Sequence, residues 1–276
     1  MMPPLLRRRL GLTLQTGLVL TALLTVLFPF FWIFLTSLKP PDLVARPEVW
    51  AFAPSAANWR EVFLESDVPR YIGNSLLVGV VTVTIALLVG FPAAYSFSRY
   101  RTGGGLARFS ILAAEMVPPA VLIVPLFLLM YRLSLTNTLI AVIAAHLTFV
   151  VPVVTWFLIG FVDEVPRELE EQAMVDGYTR GQAVTKVVLP AVRPGLAAAG
   201  IFGFVLSWND MFYALILTGG ASKTLPVAIA GYWTFRGIEM GKMAVAILLA
   251  IIPVLAASFF IQKHLVKGLG GGAVKM

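Results

Sequence analysis

Three sets of polar residues interrupt otherwise apolar stretches and are the first candidates for chemistry. Glu115 stands beside Met116, just ahead of Pro118, Pro119 and Pro125. Trp208, Asn209 and Asp210 are consecutive, and His146 lies alone in its apolar run. An ionisable side chain at the centre of a bilayer costs about 2.5–3.5 kcal/mol on insertion scales, so such residues face a cavity or a partner. Glu115 therefore either lines a solute pathway or makes an inter-subunit hydrogen bond as a protonated carboxyl. Asn209 can hydrogen-bond a hydroxylated solute and Trp208 can stack on its ring; packing against a neighbouring helix explains both equally well. His146 reads as a packed polar residue rather than a proton relay. Nothing here forms a catalytic or metal-binding constellation. With no cysteine, disulfide and thiol chemistry are excluded. A Gly-x-x-x-x-Gly-Lys-Ser/Thr phosphate loop is also missing: the nearest pair, Lys223 and Thr224, has Leu217 and Ser222 where the two glycines belong.

The elements that carry these residues follow from composition. Of 276 residues, 59% are hydrophobic and 13% charged, against about a quarter charged in soluble proteins. The apolar excess calls for lipid. A net charge of +7 does not point to nucleic acid, because the Lys and Arg residues flank apolar runs instead of forming one basic face. Six stretches approach the roughly 20 apolar residues that a spanning helix needs: Leu12 to Leu38, Tyr71 to Phe97, Phe109 to Met130, Leu139 to Phe161, Pro194 to Leu217 and Met243 to Ile261. In lipid all should be helical, since a helix satisfies its own backbone. The first, although preceded by Arg7, Arg8 and Arg9, is too long for a signal peptide and is expected to be retained. Thirteen of the 21 Lys and Arg residues then fall on the side of the N-terminus, which predicts both termini inside. The Pro- and Trp-rich stretch Lys39 to Arg70 becomes an ordered external cap. Gly268, Gly270, Gly271 and Gly272 predict an extended C-terminal arm.

The segment 163–190 is the most polar in the chain and holds six of its 14 acidic residues. It reads as two short helices. Pro166 suits a first helical turn, with acidic residues near the positive helix N-terminus. Val165, Leu169 and Ala173 make a narrow apolar stripe. Gly177 can take the left-handed conformation that ends a helix. Thr179 and Gln182 have capping-box spacing, and the second helix should stop before Pro190. On these features alone, the pair is a connector resting on the headgroups.

Glu171 to Gly177, followed thirteen residues later by Pro190, closely resembles the EAA motif of binding-protein-dependent ABC transporter permeases. Pro29–Pro40, Asn74–Ser75, Ala93–Tyr95 with Arg99–Tyr100, Ser207–Asp210, Thr224–Val227 and Lys267–Lys275 are similar to the carbohydrate-uptake, MalG-like branch of that family. The motif departs at Gln172 and Tyr178, where Ala is usual, and at Val184, where Phe is common. The resemblance implies an all-α membrane protein with a type-1 ABC importer (MetI-like) transmembrane domain at 71–264, preceded by a helix and external loop at 1–70 and followed by a cytoplasmic tail at 265–276. It implies a non-enzymatic permease subunit of a sugar importer in a bacterial or archaeal cell membrane. Its partners would be a second homologous permease, two ATP-binding subunits that hold ATP and Mg, and an extracytoplasmic sugar-binding protein. Glu171, Ala173, Asp176, Gly177 and Pro190 would couple to the ATPase, and Glu115, Trp208, Asn209 and Asp210 would belong to the substrate pathway.

The main alternative is an ion-coupled secondary transporter with Glu115, Asp210 and His146 as a proton route. Such transporters commonly repeat a broken helix in both halves, whereas one strongly Pro-broken stretch stands here without a match.

Overall fold

A computed structural model describes residues 4–235 and 237–270; the side chains of residues 4–13, 112, 115 and 260–270 are outside that description. The chain is almost wholly helical. In order come α1 (Pro4–Ser37), α2 (Ala57–Arg60), α3 (Val68–Tyr100), α4 (Gly104–Glu115), α5 (Pro119–Arg132), α6 (Leu139–Asp163) and α7 (Arg167–Val175). Then follow α8 (Arg180–Ala183), α9 (Leu189–Ala191), α10 (Arg193–Asn209), α11 (Phe212–Leu217), α12 (Leu225–Ala230) and α13 (Met240–Gly270). Before α13, β1 (Trp233–Thr234) and β2 (Gly237–Ile238) form a small antiparallel hairpin with Trp233 opposite Ile238.

The chain divides into two compact units. The first comprises the described residues through Asp67 together with Gly231–Leu249. Here the Pro- and Trp-rich stretch is ordered by polar ties. The Asn58 amide donates to the Ser37 and Lys39 carbonyls at 3.1 and 2.8 Å, and the Lys39 ammonium donates to the Arg46 carbonyl at 2.8 Å while lying over the Trp32 ring. Lys242 pairs with Glu61 and, at 2.9 Å, with Glu239.

The second unit, Val68–Ala230 with the described residues from Ala250 onward, is built on α3, α6 and α10. Lipid offers no hydrophobic drive between helices, so close backbone approach through small residues must supply the packing. Gly90 sits against Thr155, Gly203 against Val150 and Val154, and Gly195 against the Phe161 ring. Ala86, Ala94, Val150, Val154, Leu158 and Ala199 fill the space between these helices.

Among the described residues, four helices are long and apolar enough to cross a membrane: Leu14–Ser37, Val68–Tyr100, Leu139–Asp163 and Met240–Phe259. The pair Arg180–Ala191 and Arg193–Asn209, bent by 70°, supplies a fifth candidate. The remaining apolar stretch, expected as one helix from Phe109 to Met130, is α4 and α5 with a break at Met116–Pro118. Pro118 and Pro119 lack amide donors, and Pro118 stands at ψ 133°, the extended conformation favoured before proline. A second break separates α10 from α11 at Asp210–Met211, with Asp210 at ψ 125°. The last helix runs on to Gly270, so no extended arm begins at Gly268; residues 271–276 lie outside the described residues.

Candidate functional site: a braced connector and a cavity between two helix breaks

The connector begins where α6 ends. Its first helix, α7, stops in a Schellman turn. The Tyr178 amide donates to the Ala173 carbonyl at 3.0 Å and the Gly177 amide to the Met174 carbonyl at 3.1 Å, with Gly177 at φ +91°. The Thr179–Gln182 capping box then opens α8: the Thr179 amide donates to Gln182 Oε1 at 2.8 Å and the Gln182 amide to Thr179 Oγ1 at 3.4 Å. The expected stop before Pro190 does not occur. A π-helical turn at Val184–Val188 leads into α9, which contains Pro190. The wider turn re-routes the backbone around a ring that would clash in a regular helix.

The inward face of α7 is Glu170 and Ala173, continued by Val165 just before the helix; Leu169, expected in that stripe, is 44% exposed. Glu170 is buried and faces the end of α3. Its Oε1 accepts the Tyr95 hydroxyl, and its Oε2 pairs with Arg99 Nε at 3.2 Å. Arg99 Nη2 also donates to the Val165 carbonyl at 2.9 Å, and Arg167 Nη2 to the Ser98 carbonyl at 3.0 Å. Arg108 of α4 pairs with Asp163 at 2.6 Å. These ties fix the connector to α3 and α4. Ala173 is 5% exposed and packs inward. The outer face is Glu168, Glu171, Gln172, Val175 and Asp176, with Val175 87% exposed. Glu171, Asp176 and Gly177 are exposed, whereas Pro190 is half-buried.

The polar residues at membrane depth separate. Trp208 is 2% exposed and donates from Nε1 to the Ala250 carbonyl at 3.0 Å, so its indole is committed to packing and not offered to a solute. Asn209 is exposed. Glu115 ends α4, and its side chain lies outside the described residues. Asp210 holds the second helix break. Its Oδ2 accepts the Tyr213 and Ala214 amides at 3.1 and 3.4 Å, which caps α11, and also meets His146 Nε2 at 3.1 Å. The other ring nitrogen, Nδ1, lies 2.7 Å from the Ser207 hydroxyl, so both ring nitrogens have partners within the protein. His146 is thus a packed polar residue, as expected. Asp210 also borders a cavity of about 170 Å³ with Ala114, Val117, Pro119, Leu122, Thr148, Phe149 and Tyr213. Among the described residues no cluster of three His, Cys, Asp or Glu side chains could hold a metal ion.

Residues 86–271 match the model of the family described as binding-protein-dependent transport system inner membrane component. The chain belongs to that family. The diacetylchitobiose uptake system permease protein DasC of Streptomyces coelicolor is 33% identical over 91% of this chain and 92% of its own length. The trehalose transport system permease protein SugB of Mycobacterium tuberculosis is 35% identical over 90% of this chain and 92% of its own. The fold also matches a chain of a bacterial ABC transporter that imports the acidic polysaccharide alginate, with a TM-score of 0.76 over 93% of this chain and 96% of that one at 21% identity. Membership in this family leaves the ion-coupled alternative without support.

Two features of this permease were missed by sequence reasoning. Glu170 was passed over for its neighbour Glu171, although its place three residues before Ala173 puts it on the same helix face. The capping role of Asp210 was also missed, although Asp directly ahead of an apolar run is a helix-start signal.

Proposed function

We propose that this permease is the MalG-like half of a sugar importer and that the outer face of α7 transmits the movement of an ATP-binding subunit to the membrane helices. The observation that carries this reading is the two-sidedness of α7. One face is fastened by Glu170 to α3, while Glu168, Glu171, Gln172, Val175 and Asp176 stand exposed on the other. An apolar Val among carboxylates offers a partner both a contact area and charge to pair. A push on this face reaches α3 through Arg99–Glu170 and α4 through Arg108–Asp163. ATP and Mg²⁺ would be held by two partner subunits. A second permease would complete the pathway, and a sugar-binding protein would deliver solute on the face opposite both termini. Transport follows from different solute affinities of the inward- and outward-open states.

The test is reconstitution of the complete transporter in proteoliposomes with a panel of radiolabelled sugars, trehalose first. ATP-dependent accumulation of one sugar supports the reading, and failure of every sugar overturns the sugar assignment. Glu171→Lys, which reverses charge on the outer face, should reduce uptake at least tenfold or release the ATPase subunits. Wild-type uptake, ATPase activity and subunit retention together would reduce the segment to a connector.

A further inference from the structure

The two interruptions in the membrane helices meet at one place. Ala114, Val117 and Pro119 border the break between α4 and α5, Asp210 and Tyr213 border the break between α10 and α11, and all five line the same cavity. Thr148 and Phe149 close it from α6. They lie two to three residues from the midpoint of that 25-residue helix, or about 3–5 Å along its axis at 1.5 Å per residue. Non-helical backbone at such depth is tolerated where it lines a cavity, and paired helix breaks near the midplane mark binding sites in membrane transporters.

The lining has the chemistry of a sugar site. The Phe149 and Tyr213 rings are stacked, with centroids 5.8 Å apart and planes 11° from parallel. Asp210 presents a carboxylate whose position is fixed through Oδ2 by His146 and by the Tyr213 and Ala214 amides. Its Oδ1 has no hydrogen-bond partner among the described residues, and the side chain remains 13% exposed. Aromatic faces suit the C–H face of a sugar ring, and a carboxylate accepts from hydroxyl groups while repelling an anion.

We propose that this cavity is a substrate subsite carried by this subunit itself and that it takes one ring of a neutral sugar, excluding acidic sugars. Asp210 Oδ1 accepts ring hydroxyls, and the half-buried Phe149 ring, backed by the buried Tyr213 ring, sets the ring plane. This rests on the sugar-import reading above, so its test must be able to fail separately.

Two variants suffice in the complete reconstituted transporter, assayed with the sugar retained by the panel. Asp210→Asn keeps one acceptor oxygen for the helix cap but removes the charge. It should raise KM about tenfold or more, the loss expected for a hydrogen bond to a charged group. Val117→Trp fills the cavity at the first break and should abolish saturable uptake while the complex stays assembled. In the wild type a uronic-acid analogue of the transported sugar should fail to compete, and in Asp210→Asn it should compete measurably. Uptake with KM within twofold of wild type in both variants overturns the subsite and leaves the importer standing. Failure of every sugar in the wild type removes the importer reading and the subsite together.

Discussion

Arg99 and Glu170 form an ion pair with Nε and Oε2 3.2 Å apart and side chains only 7% and 8% exposed, joining the end of one membrane helix to the connector that follows another. A buried pair contributes little net stability over a well-packed apolar pair, but it sets geometry, and breaking it strands a charge.

Glu170→Ala should therefore be more damaging than an outer-face change. Leaving Arg99 buried without its carboxylate costs about 3–5 kcal/mol, enough to free α7 from α3. The expected result is lower thermal stability of the solubilised protein together with loss of ATPase-coupled uptake. The double replacement Arg99→Met with Glu170→Leu should recover stability, because neither charge is stranded, without recovering full coupling. Equal damage from the single and double variants would contradict this.

Gly195 opens α10 against the Phe161 ring near the end of α6, and a Cβ there would overlap that ring. Gly195→Ala should lose about 1–3 kcal/mol through overpacking. The check is the fraction of monodisperse protein left after heating in detergent. Adding Phe161→Leu should restore most of it, whereas no rescue would place the damage elsewhere.

How much of this was legible in the sequence depended on range. The spans containing α1, α3, α6 and α13 announce themselves through long apolar runs, since lipid demands continuous helix. Gly177 and the Thr179–Gln182 box were legible too, because both are satisfied within a few residues of chain. Glu170 was not, because its partners Tyr95 and Arg99 lie more than 70 residues away. The breaks at Pro118 and Asp210 fell between. The prolines signalled a bend, but hydropathy runs through both positions and cannot distinguish one helix from two.

Orientation is open to a direct measurement, because the chain has no cysteine of its own. Single cysteines replacing Arg101 and Ser55 fall at exposed or half-exposed positions in loops. With both termini cytoplasmic, Arg101→Cys should react only with a membrane-permeant maleimide, and Ser55→Cys with an impermeant one added outside intact cells. The reverse pattern would invert the arrangement.

Gly177 gives the sharpest test of coupling. It sits at φ +91°, and a Cβ added there would meet nothing within 4 Å, so the damage from a larger residue is backbone strain and not collision. Ala should lose about 1 kcal/mol and a β-branched residue more. Because the membrane helices are untouched, Gly177→Val should insert normally. The Schellman turn would open, however, and α7 would lose its fixed angle to α8, so a push on its outer face would dissipate in the hinge. The expected outcome is ATPase activity retained or lost to subunit release, with uptake per ATP hydrolysed down at least severalfold. Gly177→Asn, whose side chain tolerates left-handed backbone better, should keep most of the coupling. If Val and Asn behave alike, the loss comes from contact with the side chain at this position and not from the turn.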